Sequence, residues 1–567
     1  MSRDKSATAG LQRAAATVGL WTAASRLLGF LRDIVLAFSL GAGPLADAFF
    51  VAFKLPNLFR RLTAEGAMTN IFLPGYAATD ETEGRQAAMD LAAEIQAGLF
   101  WVLLGVVVVM EVFMAGVIGM LAPGFVTTAE AGPQPFIPTA ADGDQRLDDA
   151  ILLARLTIPY LPMISLVALW VAIANTHGRF RAGAAAPILL NCWLIAGGIL
   201  TAVLLAEDVV ETAWPLALSV SLAGICQLLM LGLVLWRLGR FPASHGKGFW
   251  RWLWPWPVAA NAAKLWRRFV PAALGAGSLQ LNLLIDMVLA SLLPVGSISV
   301  LYFADRIAQL PLGIVGIALG TALLPQLARL EADKSPPERR QKDGMVEAAM
   351  AAKASAVAGQ LAEAVRLGLL LGLPAALGMI LLSPLLVRGL FGYGAFSDAM
   401  LEPTALVLAA YGLGVPGFIL NKVMLPAFYA RGDATRPLRV GLIMVAVNII
   451  GSICLMQLLG VVGLALATSF AAWVSVLILA VLLWRDDRLD SRVFNGMTRL
   501  LLAVMILAVL LIAGHIGAGW LPASWPALVP MLLLVGLGLF GYAAATLMLG
   551  LLPARWLPRR LRWAARD

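Results

Sequence analysis

The chain has 567 residues, 60% of them hydrophobic and only 13% charged, with a mean hydropathy of +0.85. That composition excludes a soluble enzyme and points to a polytopic membrane protein. The net charge of +9 is not read as nucleic-acid binding, because in a membrane chain the placement of Lys and Arg among the loops reports topology.

The N-terminus, MSRDKSATAGLQR, is basic, and the first apolar run keeps Arg26 and Arg32 inside it. No cleavable signal is therefore expected, and the first helix stays in the mature protein. From Ser25 to Pro74 the chain reads as two helices joined by GAGP, apolar enough for a bilayer yet carrying Arg26, Arg32, Asp33, Asp47, Lys54, Arg60, Arg61 and Glu65. An ionisable group at the bilayer centre costs about 2.5–3.5 kcal/mol on insertion scales, so this set facing lipid would cost on the order of 20 kcal/mol. These groups must face a polar interior.

Asp47, Lys54 and Arg61 recur at seven-residue intervals and so follow one face of the second helix. Arg26 and Asp33 do the same on the first, with Arg32 about 120° off their stripe unless Gly29 lets the helix bend. Pro56, in KLPN, is expected to interrupt the second helix midway. Basic residues outnumber acidic ones here, which predicts a watery cavity of positive sign and an anionic guest.

Along the rest of the chain, apolar spans of about 20 residues are the units to count. After the opening pair they fall near 90–121, 150–176, 184–206, 212–237, 267–293, 300–328, 361–390, 403–428, 437–459, 461–484, 497–516 and 526–552, which makes fourteen helices. Lys and Arg collect in alternate connections, among them Arg179 and Arg181, the stretch Arg237 to Arg268, and the segments from Arg329, Arg431, Arg485 and Arg555 onward. The intervening connections are acidic or uncharged, as at Glu130 to Asp149 and Glu207 to Glu211. By the positive-inside rule both termini are cytoplasmic. The Trp-, Pro- and Arg-rich segment after Leu238 reads as an interfacial linker, and Glu331 to Gln360 as a solvated loop leading amphipathically into the ninth helix.

An internal repeat divides the chain. IVLA at Ile34 to Ala37 resembles MVLA at Met287 to Ala290, and Leu55-Pro56 and Leu73-Pro74 match Leu310-Pro311 and Leu324-Pro325. Six helices separate the copies, so both run the same way and the halves are related by an axis along the membrane normal, with substrate expected near midplane between them. The expected organisation is an all-α membrane fold: an N-lobe over 1–238, a linker over 239–266, a C-lobe over 267–485, and two further helices with a basic tail over 486–567. The second half has its own polar residues, Gln280, Asn282 and Asp286, then Asp305 and Arg306. Arg306 stands in the copy of the helix that carries Lys54 and Arg60. Asp305 reads equally as a local partner of Arg306 or as a functional acid.

The blocks SRLLGFLRD, GAGPLADAFFVAFKLPNLFRRLTAEGA, YFADRIAQLPLGIVGIALGTALLPQLAR and AFYARGDATRPLR resemble the MurJ (MviN) family of bacterial lipid II flippases within the MOP exporter superfamily. The resemblance implies a transporter, not an enzyme, in the bacterial cytoplasmic membrane. It would carry the polyprenyl-diphosphate-linked peptidoglycan precursor to the periplasmic leaflet by alternating access. It also implies cavity roles for Arg26, Arg32, Asp47, Arg60 and Arg306. Arg26, Arg32 and Arg306 would grip the diphosphate, whose oxygens suit guanidinium forks. Asp47 and Glu65 would pair with basic residues and help gate the two faces. Asp33, Lys54 and Arg61 fit structural ion pairs and substrate contacts equally.

By the same resemblance, helices thirteen and fourteen would form a groove for the lipid tail, a role their uncharged sequences share with plain lipid-facing anchors. Asp286, Asn448 and Thr468 match polar positions of a sodium site, though Ser452 stands where a second carboxylate is wanted. No cofactor is expected beyond coupling to sodium or protons. Expected partners are lipid II or a related glycolipid, membrane lipids and cell-wall synthesis proteins, with no nucleic acid. The alternative within transport is a MOP exporter of another polyprenyl-diphosphate-linked glycan, or a cation-coupled antiporter.

Other signals are bland. Cys192, Cys226 and Cys454 are scattered through apolar spans and make no disulfide framework or CxxC pattern. GxGxxG at Gly536 to Gly541 lies in an unbroken apolar span, where close helix packing explains it. His177, His245 and His515 are too dispersed for a metal site, and Glu111 reads as an interface residue at the outer end of its helix or, alternatively, as a protonated cavity group. A membrane enzyme acting on polyprenyl diphosphates would need a carboxylate cluster for magnesium or an activated nucleophile near an interface, and no His/Asp site appears. A scaffold for cell-wall enzymes would not need the charges of the first two spans.

Overall fold

The computed structural model describes residues 2–60, 71–126, 145–242, 267, 281–332, 343–519, 522 and 524–552. Among these the chain is helical without strands, as its long apolar spans require: in lipid every backbone polar group must be satisfied within its own segment. The helices in order are α1 (Ser2–Leu40), α2 (Pro44–Arg60), α3 (Leu73–Thr82), α4 (Arg85–Val112), α5 (Met114–Leu121), α6 (Gln145–Thr157), α7 (Tyr160–Thr176), α8 (Phe180–Ala206) and α9 (Trp214–Arg237). Then come α10 (Leu281–Ser291), α11 (Ser297–Pro311), α12 (Ile317–Ala332), α13 (Asp343–Leu381), α14 (Ser383–Phe391), α15 (Asp398–Tyr429), α16 (Thr435–Leu459), α17 (Val461–Arg485), α18 (Met497–Ala518) and α19 (Leu528–Met548).

Eleven helical stretches among the described residues are long and apolar enough to cross a membrane. The first, second and seventh of the expected fourteen are not among them. α1 carries Arg26, Arg32 and Asp33 in its apolar half, while α2 and α10 are described over only 17 and 11 residues. The linker from residue 243 to 266, Arg61 and Glu65 lie outside the described residues.

Two helices differ from the sequence expectation. α2 is not interrupted at Pro56 but runs through it. Proline removes the N–H that would serve the carbonyl four residues back, that of Ala52, and the Thr157 hydroxyl from α6 donates to this oxygen at 3.3 Å. The solvated loop expected before the ninth helix is helical from Asp343 onward, giving α13 39 residues. At 1.5 Å per residue that is about 58 Å, well beyond a hydrocarbon core about 30 Å thick.

The chain forms two compact units. The first holds the described residues up to Ser299 together with Gly394–Phe396, and the second holds those from Val300 to Tyr393 and from Ser397 onward. The first unit thus takes α10 and the start of α11, which sequence numbering assigns to the second repeat.

Backbone geometry within each unit carries the repeat further than sequence identity does. Positive φ at Gly41, Gly178, Asp208 and Gly239 in the first copy is matched in chain order at Gly296, Gly432, Gly460 and Asp487 in the second, whereas Gly84 and Gly394 have no counterpart. The endings of α9 and α17, LWRLGR and LWRDDR, fold alike. The amide of Arg240 donates to the Leu235 carbonyl at 2.9 Å, and that of Arg488 to Leu483 at 2.9 Å. This is the six-to-one bond of a Schellman ending, with the left-handed position at Gly239 or Asp487.

In the second unit α18 and α19 pack on α13 through Leu367, Leu370, Leu507, Leu511, Leu534 and Ala545. The Tyr542 hydroxyl donates to the Leu370 carbonyl at 2.7 Å, so the tyrosine's polar end is satisfied inside this apolar cluster.

Candidate functional site

The charged residues of α1 and α2 are held by specific polar neighbours. Arg32 Nε and Nη2 donate to Asp33 Oδ1 at 2.9 and 2.6 Å, and Nη1 donates to Asn191 Oδ1 at 3.0 Å. Asn191 Nδ2 donates to the Ser25 carbonyl at 3.2 Å, which ties α8 to α1 at two levels. Helical spacing sets Arg32 apart from the stripe of Asp33, yet the two pair, because a guanidinium arm is long enough to reach around to an adjacent position. Asp33 is buried, Arg32 is half-buried, and Arg26 is exposed.

Asp47 is 1% exposed and accepts three hydrogen bonds. Its Oδ2 takes the Gly296 amide at 2.7 Å, and its Oδ1 takes the Ser299 amide and hydroxyl at 2.8 and 2.7 Å. These amides are among the orphan donors at the start of α11, so Asp47 serves as an N-cap supplied by another helix, with its negative charge on the positive end of the dipole. Further along α2, Arg60 Nε donates to Asn57 Oδ1 at 3.4 Å, and Lys54 is half-buried.

In the second unit the Arg306 guanidinium carbon lies 4.6 Å from the centroid of the Tyr302 ring, and Nη2 is 3.4 Å from Asp305 Oδ2. Asp305 also accepts from Gln309 Nε2. The expected cation ligands Asn448 and Thr468 meet in this unit, the Thr468 hydroxyl donating to Asn448 Oδ1 at 3.0 Å. Asp286 lies on α10 in the first unit. Glu111 is paired with Arg155 at 3.7 Å.

Several residues of this polar framework escape sequence reasoning. Asn191 and Ser299 carry no spacing signal. Arg146 had one, a cation in an otherwise acidic segment, and it is 7% exposed, with its guanidinium carbon 4.8 Å from the Phe125 ring centroid. Lys422 was visible as a lone charge in the span 403–428, and the structure leaves it exposed on α15.

The family model described as lipid II flippase MurJ matches residues 36–539. The chain belongs to the MurJ family. Among its relatives, a probable lipid II flippase MurJ of Rhizobium tropici is 38% identical over 83% of this chain and 81% of its own length. One from Rhizobium meliloti (strain 1021) is 37% identical over 87% and 84%. The solved structure of a lipid II flippase MurJ in an inward closed conformation shares the fold, with a TM-score of 0.72 and 22% identity over 93% of this chain and 97% of that one. A multidrug-resistance MATE transporter of the MOP superfamily, inward-facing, is a more distant fold neighbour, with a TM-score of 0.58 and 13% identity over 82% and 94%. Membership of the MurJ family makes this a multi-pass membrane transporter, and eleven of the expected fourteen spans are counted among the described residues.

Proposed function

We propose that this protein moves lipid II from the cytoplasmic to the periplasmic leaflet of the bacterial cytoplasmic membrane, by alternating access through a cationic cavity, with both termini cytoplasmic. The observation that carries the reading is the family match across residues 36–539. The physical support is that the largely apolar helices α1 and α2 carry charged groups held by specific polar partners. The Arg32–Asp33 pair is braced by Asn191, and Asp47 is spent on capping α11. Charges retained at such cost mark a substrate path.

In this reading Arg26, Arg32 and Arg306 grip the diphosphate, as the family resemblance implies, and release of the α11 start from Asp47 belongs to the change of access. Coupling to sodium or protons would draw on Asp286, Asn448 and Thr468, and is tested by the sodium dependence of transport. Lipid II accessibility at the outer leaflet, in cells depleted of the protein and rescued with wild type or Arg306→Ala, tests the whole. Depletion should trap lipid II inside and only wild type should release it. Unchanged exposure on depletion would remove lipid II as the substrate and leave another polyprenyl-diphosphate-linked glycan.

A further inference from the structure

The ends of α1 and α10 are met by the same kind of contact, and each contact comes from the other copy of the repeat. Ser291 lies as far after Phe38 as MVLA lies after IVLA, so the two residues hold equivalent places in the last turns of α10 and α1. The Gly124 amide donates to Ser291 Oγ at 3.2 Å, and that hydroxyl donates on to the Val288 carbonyl at 2.7 Å. The Ala395 amide donates straight to the Phe38 carbonyl at 2.8 Å, Phe38 having no hydroxyl to relay it. Each bond serves a carbonyl that the last turn of a helix leaves without an intrahelical partner.

The donors are equivalent as well. Gly124 follows a long helix and a short one, α4 and α5, and Ala395 follows α13 and α14 in the same way. A buried phenylalanine comes next in both, Phe125 or Phe396. Backbone approaches backbone in both places: a Cβ on Gly124 would stand 1.8 Å from the Ser291 carbonyl oxygen, and one on Gly394 would stand 2.4 Å from that of Phe38. Only glycine fits either position. Gly394–Phe396 belongs to the first unit although the residues flanking it belong to the second, so both contacts lie within the first unit.

Contacts related by the repeat share one fate. Rocking of one copy against the other about their common axis draws the ending of the third helix away from that of the first at both places alike. We infer that the two contacts are a matched pair of clasps, which hold the ends of α1 and α10 closed and release together when access changes. The inference rests on the alternating-access reading and the topology above, in which the α1–α2 and α10–α11 turns face the periplasm.

The test uses the full chain with Cys192, Cys226 and Cys454 replaced by serine and one reporter cysteine, introduced either as Ala42→Cys in the α1–α2 turn or as Val295→Cys in the α10–α11 turn. These positions are equivalent in the repeat and are 6% and 7% exposed. The readout is the rate of labelling by a soluble maleimide in purified protein. Gly124→Ala breaks the clasp beside Val295, and Gly394→Ala breaks the clasp beside Ala42. Either change should speed labelling at both reporters roughly tenfold, the change that about 1.4 kcal/mol lost from the closed state gives. The crossed combinations decide: Gly124→Ala read at Ala42→Cys, and Gly394→Ala read at Val295→Cys.

A rise confined to the reporter beside the broken clasp would mean two local contacts that open separately, and would overturn the inference, as would the parent rate at both reporters. If Gly124→Ala does not fold, Ser291→Ala removes the acceptor without crowding the backbone and should speed labelling at Ala42→Cys, and the parent rate there would overturn the inference equally. Lipid II exposure in cells reads transport separately. Failure of that exposure to depend on the protein would sink the lipid II reading while leaving the labelling comparison to stand by itself.

Discussion

Asp80 on α3 pairs with Arg240 just beyond α9, and Glu331 on α12 pairs with Arg488 just beyond α17 at 2.5 Å. Each arginine stands at the same place in the same Schellman ending, and each carboxylate lies at the close of the matching helix of its repeat. Both pairs are largely shielded, with side-chain exposures of 19% and 22% in one and 18% and 13% in the other. A second group attends each carboxylate, the His177 ring at 3.6 Å from Asp80 and the Lys353 ammonium at 3.7 Å from Glu331. Both copies of the repeat therefore keep a tie of the same kind, from α3 to the ending of α9 and from α12 to the ending of α17, with different acids.

Cutting one end of such a tie should cost more than removing both. Arg488→Ala leaves Glu331 half desolvated with only Lys353, and should lower stability by about 2 kcal/mol. Glu331→Ala combined with Arg488→Ala should cost less than the two single changes added. Thermal unfolding of the purified protein and its variants, read as a double-mutant cycle, measures the difference.

The Pro56–Thr157 relationship predicts a conditional effect. Thr157→Val removes the hydroxyl that serves the Ala52 carbonyl, leaving a buried acceptor unsatisfied at a cost of about 1–3 kcal/mol. In a Pro56→Ala background the restored amide can take that carbonyl along the helix, and Thr157→Val should then cost little. Equal losses in both backgrounds would show that the contact of Thr157 with Ala154, at 3.1 Å, matters more.

Asp486, in the connection after α17, gives a pH dependence. Burial pushes its carboxyl upward, but hydrogen bonds from Arg431 at 2.9 Å and Arg436 at 2.5 Å outweigh this, so it lies below its ordinary value of 3.8. A carboxylate whose folded value is depressed stabilises the fold fully above the unfolded value and loses that contribution as pH falls through the folded one. Melting temperature should therefore drop as pH is lowered below about 4, and Asp486→Asn should flatten that drop while lowering stability near neutrality.

The two Schellman endings also predict opposite responses to glycine exchange. Asp487 adopts φ +55°, a left-handed conformation that costs an L-residue about 1 kcal/mol, so Asp487→Gly should raise the melting temperature. Gly239→Ala should lower it, because Gly239 sits at φ +62° and a Cβ there would meet the Arg85 guanidinium at 2.5 Å. Arg85 would have to leave its hydrogen bond to the Gly239 carbonyl.

The sequence by itself determined the class of protein and the outline of its machinery. A 60% hydrophobic composition, apolar spans of bilayer length and the charged residues of the first two helices left only a polytopic transporter with a polar interior. The repeat was legible from IVLA and MVLA and the paired Leu-Pro positions, because those apolar and turn residues are fixed by local geometry.

What only the tertiary structure decided is which polar group meets which. Asp47 takes its donors from residues 249 and 252 positions away, and Arg32 finds Asn191 159 positions away, contacts no periodicity along one helix can encode. Helical spacing fixes the face on which a charge stands, whereas its partner is set by the packing of helices distant in sequence. For the same reason the uninterrupted path of α2 through Pro56 was hidden. Its missing hydrogen bond is replaced from Thr157 on another helix, a contact that exists only once α6 packs on α2.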